Sequence, residues 1–314
     1  MPPVNTDPFH HGEHEAQTRA GVRLLGAPIR DWMPDQHRLF FAQLPILFAA
    51  VADGAGWPVA TALAGPPGFV SSSDVRTLRV AALPDRADPA GTGLRAGAPA
   101  GLLGIDLGTR RRNRVNGIVL AVDGHGFTLD VQQSFGNCPQ YIQAREVEGG
   151  EAPDRAGAAE RLGGLDPQAR ALIAGADTFF VASGSGAGGG DAGGLDMSHR
   201  GGRPGFVRVD GDVLTIPDFR GNRYFNTLGN LMLDPRAGLL FVDFASGGLM
   251  HLQGRAELDW DGGAASGFAG AERLWRVQVT AGWRRPGALA LRWAFRGYAP
   301  TTERMGRWDT RDDG

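Results

Sequence analysis

The chain contains no lysine; every Lys-or-Arg cation in it is an arginine. Any phosphate held by charge is therefore held by a planar guanidinium fork, which suits bidentate contact. A single cysteine, Cys138, excludes an internal disulfide and any cysteine-rich zinc site. No apolar run is long enough to span a bilayer as a helix, and the polar N-terminus does not read as a signal peptide, so a cytoplasmic location is expected. A formal net charge of −2 removes any global attraction to nucleic acid or to an anionic membrane. There is no nucleophile elbow, no HExxH and no Walker loop.

What is present is glycine and proline, 49 and 20 of them, crowded between apolar runs in a chain of 314 residues. That pattern suits many short strands and turns rather than long helices. The length suits about two domains.

The two domains are copies of each other. "PGFV" occurs at residues 67 and 204, and "GLLGIDLG" at 101 returns as "GLLFVDFA" at 238. "VNG" ends at 117 and "LQG" at 254. All three pairs are separated by 137 positions, one register without a gap. A period this long is a repeated small domain and not a solenoid.

Along the chain, residues 1–43 read as a helical leader packing on the core, with helices expected in "GEHEAQTRAGV" and "DWMPDQHRLFFAQL". His10, His11 and His14 cluster there, but a metal site needs further ligands in fixed geometry, and none is expected. Residues 44–145 carry a run of short strands that ends in "HGFTLDVQQ", the pattern of a small barrel or sandwich. Residues 146–175 form a linker with a helix in "DPQARALIAGA", Asp166 its N-cap and Pro167 at its first position. Residues 176–314 repeat the strands. "GSGAGGGDAGG" makes a longer hairpin loop than its counterpart, and "ERLWRVQVTAGW" adds a strand before an irregular tail. The fold class expected is mainly β with a few helices.

Laying the copies on each other exposes polar differences. Arg200 stands where the first copy has Leu63. Asn222 and Arg223 stand where it has Asp85 and Arg86. With Ser198 they give the second copy a hydroxyl, an amide and two guanidinium groups, equipment suited to a phosphate monoester. The first copy carries Arg110, Arg111, Arg112 and Arg114, where the second has Gly247, Gly248, Leu249 and His251. Alternation places Arg112 and Arg114 on one face of the strand and Arg111 on the other. A run of charge is often only a solvated face; the asymmetry between copies favours a function.

The stretch from "DMSHRGGRPGFV" through "TIPDFRGNRYFNTLGNLMLDPRAGLLFVDF" resembles the flavin-nucleotide-binding proteins related to pyridoxamine 5′-phosphate oxidase, with a weaker copy over 41–130. "FFAQLP", "RRRNRVNG" and "SFGNCPQYIQAR" are similar to the long form of that group. The resemblance implies two fused FMN-binding split β-barrels that form an intramolecular pseudo-dimer, with FMN between them. By position it implies Ser198 and Arg200 at the phosphate and ribityl chain, Pro217 and Asp218 at the ring edge, and Asn222 and Arg223 at the phosphate. The paired-basic signature with lysine and the C-terminal substrate-phosphate motif of the true oxidases are missing, so pyridoxamine phosphate is not the expected substrate. "QQSFGNCPQYIQAR" reads as a loop covering the flavin through Asn137 and Gln140, or as a packed connector with Cys138 as a small buried hydrophobe.

The second copy keeps the phosphate residues, and the first keeps the strand with Arg112 and Arg114. One composite FMN site per chain is expected, serving an FMN-dependent oxidoreductase that acts on a small molecule; homodimers of the pseudo-dimer would be compatible. The rivals are a non-catalytic flavin- or haem-binding protein, with His199 or His251 as axial ligand, and a structural or partner-binding barrel with an empty cleft.

Overall fold

The computed structural model describes residues 7–22, 24, 26–149, 158–260, 263 and 265–308. Two antiparallel sheets dominate it. The first contains β1 (Ile46–Ala52), β2 (Pro58–Ala64), β3 (Val70–Ser71), β4 (Thr77–Val80), β5 (Pro99–Asp106), β6 (Arg111–Asp123) and β7 (Gly126–Gly136) in the order β2-β1-β5-β6-β7-β4-β3. Two short strands follow, β8 (Ala144–Val147) and β9 (Glu160–Leu162). The second sheet contains β10 (Thr178–Gly184), β11 (Leu195–Gly201), β12 (Arg208–Asp210), β13 (Val213–Phe219), β14 (Arg236–Asp243), β15 (Gly248–Asp259) and β16 (Ala271–Arg285) in the order β11-β10-β14-β15-β16-β13-β12, with β9 added beside β16 off that path. The orders correspond strand for strand, so the fold is two fused barrels of one topology.

Residue pairing fixes the equivalences. Leu47 pairs with Leu63 in the first sheet, and Phe179 with Arg200 in the second. Leu103 pairs with Arg114, and Leu240 with His251. Arg200 is thus the counterpart of Leu63, and Arg114 of His251, as the 137 register requires. Outside that register the copies drift. The loop joining β10 to β11 is five residues longer than the one joining β1 to β2, spanning 185–194 against 53–57. Strand β16 is the counterpart of β7 and not an addition to the barrel; the longer 260–270 connection pushes it beyond the 137 offset.

β1 and β10 read as unbroken apolar runs because each divides two cores. Leu47, Ala49 and Val51 point into the first barrel, while Ile46, Phe48 and Ala50 face the other barrel. Phe179 and Val181 fill the second barrel, while Phe180 and Ala182 face back. Phe48 and its own counterpart Phe180 stack with ring centroids 3.6 Å apart, which marks the pseudo-twofold axis. Glycine brings the barrels together on both sides of that axis. A Cβ on Gly101 would lie 2.3 Å from the Leu195 carbonyl oxygen, and one on its counterpart Gly238 would lie 2.4 Å from that of Pro58.

The leader forms α1 (His11–Arg19) and α2 (Asp35–Gln43), shorter than expected because Pro34 delays the start of the second. Helix α3 (Pro167–Gly175) has Asp166 as its N-cap. Helix α4 (Asn226–Leu233) lies between β13 and β14, and α5 (Pro300–Glu303) lies in the tail. Helix α1 sits on α4 at a glycine pair: a Cβ on Gly12 would meet the Gly229 carbonyl oxygen at 2.3 Å. The tail strand β17 (Trp293–Gly297) pairs with β8 in a small separate sheet. No helix among the described residues is long and apolar enough to cross a membrane.

Candidate functional site

Strands β6 and β11 face each other across the seam between the barrels. Side chains alternate along a strand, so residues 112, 114 and 116 share one face of β6, and 196, 198 and 200 share one face of β11. At one end of the seam lies a cleft lined by Arg112, Arg114, Arg200, Arg223 and Arg273. Only two carboxylates, Asp218 and Glu272, line it with them. Strand β6 brings the first two guanidiniums, and the second barrel brings the other three.

Eight of the residues expected at the site line this cleft: Ser198, Arg200, Asp218, Asn222, Arg223, Arg112, Arg114 and Asn137. Pro217 does not. It is buried within β13, opposite Leu274, on the other face of the strand from Ile216 and Asp218. Gln140 is also outside the lining; its Oε1 accepts from Cys138 Sγ at 3.8 Å. Asp218 is not presented to a ligand as a lone carboxylate, because Arg200 and Arg273 each donate to one of its oxygens. Asn222 caps its own loop, its Oδ1 accepting from the Tyr224 amide at 3.1 Å.

The sequence reading missed Arg273, His199, Asn226 and Thr227 as members of the cleft. Arg273 lies outside the constant offset, on β16. Asn226 and Thr227 form the first turn of α4, and their contribution depends on where that helix begins.

Among the described residues the cleft holds several unpaired donors and one unpaired amide oxygen, Asn137 Oδ1. Arg114 donates to Ser198 Oγ at 2.8 Å and to Asn226 Oδ1 at 3.2 Å. Thr227 donates to the same Ser198 oxygen at 2.8 Å. Arg112 Nη1 lies 2.8 Å from His199 Nδ1. Guanidinium nitrogen can only donate, so Nδ1 accepts and the ring proton sits on Nε2. Burial and the surrounding guanidiniums hold the His199 pKa well below its ordinary value, so the ring stays neutral. Burial likewise pulls Arg114 down to about 10. The Nε atoms of Arg112, Arg114, Arg200 and Arg223, together with His199 Nε2, are buried with no partner among the described residues. Five buried donors around one cleft are thus without acceptors.

Helix α4 adds to this. Its N-cap residue, Phe225, has φ +62° and gives no side-chain cap. The first-turn amides of a helix attract anions when no side chain occupies them.

The mirror-related position is built differently. Ser198 is matched by Thr61, Arg200 by Leu63, Arg112 by Leu249 and Arg114 by His251. Asp88 stands one residue before the short turn of helix Pro89–Thr92 that corresponds to the start of α4. One Asp88 oxygen accepts from the Ala90 amide at 2.8 Å. The other accepts from Thr61 Oγ1 at 2.7 Å and Arg285 Nη1 at 2.6 Å. The Asp88 carboxylate is 96% buried, at 4% exposure. The first copy thus places a carboxylate at the helix N-cap, where the second copy has Phe225.

His199 presents a protonated Nε2, and releasing it would require losing the Arg112 bond. His251 is 1% exposed, with Nδ1 donating to the Ala60 carbonyl and Nε2 3.8 Å from Asp88. No group of three or more metal-ligating side chains occurs among the described residues. His10 is instead an N-cap for α1, and His14 pairs with Asp7.

No family model matches the chain, and no curated protein does. The chain is similar to a solved HupZ variant from Group A Streptococcus, with 14% identity over 38% of this chain and 98% of that one, at a TM-score of 0.29. It is similar also to a FAD-binding protein of Mesorhizobium loti, with 9% identity over 41% of this chain and 97% of that one, at a TM-score of 0.29.

Proposed function

We propose that the arginine cleft binds the phosphate of FMN and that the chain is an FMN-dependent oxidoreductase of the pyridoxamine 5′-phosphate oxidase-like group, with one flavin per chain. The observation that carries this reading is the set of buried, unpartnered donors from Arg112, Arg114, His199, Arg200 and Arg223. The mirror position supports it, because there a carboxylate already occupies the equivalent place.

The donor set fits a phosphate. The cleft encloses about 100 Å³, room for a phosphate group but not for a three-ring system. The anchor therefore holds one end of the ligand. Arg112, Arg114 and Arg200 would hold the phosphate by charge-assisted hydrogen bonds, with the amides of the first turn of α4 adding to them. His199 would donate from Nε2. Bound flavin would supply reversible electron and hydride transfer. The protein's part is to fix that ligand at the barrel seam and to bury its charge.

Titration of the apoprotein with FMN, riboflavin and inorganic phosphate tests the reading. FMN should bind at least tenfold tighter than riboflavin, and phosphate should compete with it. Equal affinity for riboflavin and FMN would remove the phosphate site. A Soret band in place of paired flavin bands in the purified protein would replace flavin by haem.

A further inference from the structure

A second and larger cavity lies on the same seam, beyond the Arg114–Ser198 contact. It holds about 410 Å³ and is walled by the leader, the first barrel and the 192–196 segment of the second. Its chemistry is the reverse of the arginine cleft. Asp7, Glu13, Asp31 and Asp196 line it, and Arg30 is the sole arginine there. Ile29, Trp32, Pro99 and Ile118 give it apolar walls. Trp32 is 40% exposed, large for an indole in a cavity wall.

One buried polar atom in the chamber's wall lacks a partner among the described residues. Asn116 is 8% exposed, and its Oδ1 is buried and unpaired among the described residues. The orientation of its amide is fixed by its neighbours. The Pro8 carbonyl can only accept, so Gln133 turns Nε2 toward it, at 2.9 Å. That aims Gln133 Oε1 at Asn116 Nδ2, 3.1 Å away. Asp196 accepts from the same Nδ2 at 2.8 Å. Both neighbours of the nitrogen are acceptors, so the unpaired atom is the oxygen. What it lacks is a donor.

A wall separates this chamber from the cleft. Arg114 donates to Asn226, and Asn226 Nδ2 donates to Glu13 Oε1 at 2.5 Å. Glu13 belongs to α1 and is held there by the glycine contact with α4. Residues 112 and 116 are four apart on β6, about 13 Å at 3.3 Å per residue.

We infer that this chamber is a second binding site, for a planar, uncharged or cationic ligand that donates an N–H to Asn116 Oδ1 and packs between Trp32 and Ile118. The unpaired oxygen calls for an N–H donor, which a carboxylate anion does not carry, and the apolar walls favour a flat ring. The site stands on its own geometry and does not rest on the FMN reading. If that reading holds, this is where a second, non-phosphate reactant enters.

Three probes of one shape test it: nicotinamide, which carries the donor; methyl nicotinate, which lacks it; and nicotinate, which is an anion. Saturation-transfer NMR on the full chain should show nicotinamide bound, methyl nicotinate at least tenfold weaker, and nicotinate not bound. Equal binding of nicotinamide and methyl nicotinate, or binding of neither, overturns the site. Ile118→Trp should fill the chamber and abolish nicotinamide binding; undiminished binding places the ligand elsewhere. Saturating FMN should leave nicotinamide bound, whereas displacement would make cleft and chamber one site.

Discussion

Arg114 of the first barrel and Ser198 of the second meet at 2.8 Å across the seam. Their counterparts, His251 and Thr61, do not bond to each other; both lie against Asp88 instead. The same fold position is a bond across the seam lining the arginine cleft in one half and a closed ion cluster in the other. This asymmetry has consequences that can be measured.

FMN should bind one per chain. Asp88 occupies the mirror position, and Leu63 and Leu249 remove two of the cations a phosphate would need there. Released flavin per polypeptide after denaturation reads the number directly. A ratio near two would show that the Asp88 cluster yields to the ligand.

Asp88→Ala should destabilise the protein strongly, because it leaves the Arg285 guanidinium, 3% exposed, without its buried carboxylate. Breaking a buried pair from one side costs about 3–5 kcal/mol. The control is Asp85→Ala. Asp85 lies 3.6 Å from Arg285 with a half-exposed side chain, so its loss should cost less than about 1 kcal/mol. Chemical denaturation separates the two, and similar costs would mean that Asp88 is not the anion the cluster is built on. Millimolar formate should recover part of the Asp88→Ala loss.

Arg200→Leu should keep the fold, since Leu63 occupies the same position in the sister barrel and Asp218 retains Arg273. FMN affinity should fall ten- to a hundredfold, about 1.5–3 kcal/mol for a charge-assisted bond. Melting curves with and without FMN check both halves of this expectation. A variant that melts early without ligand would make Arg200 a structural residue.

Glu13 gives a pH dependence. Burial beside Asp196 pushes its carboxyl up to about 8 from an ordinary value near 4.5. The folded state therefore binds a proton that the unfolded chain has released. This contribution to stability is complete below about pH 4.5 and is lost as pH rises through about 8. Glu13→Gln, which mimics the protonated acid, should flatten that part of the stability curve and be the more stable protein at pH 9. An unchanged slope would mean that Glu13 ionises without cost.

Sequence alone determined the duplication, the mainly β class and most of the arginine cleft. Three fixed landmarks sufficed because β2, β5 and β6 keep one register, and alternation placed Arg112 and Arg114 together. The register also paired Arg200 with Leu63, so the asymmetry was legible before any fold. Tertiary structure decided the rest. Arg273 enters the cleft from a strand displaced by an insertion, so no offset could align it. Pro217 leaves the cleft because strand alternation puts it on the face opposite Ile216 and Asp218. Asp88 became a built-in anion only when the Pro89–Thr92 turn met Thr61 and Arg285, residues 27 and 197 positions away. The chamber at Asn116 is closed by the leader, and which amide atom it leaves unpaired depends on Pro8, Gln133 and Asp196. Such facts come from hydrogen-bond partners distant in the chain, and a periodic pattern carries no record of them.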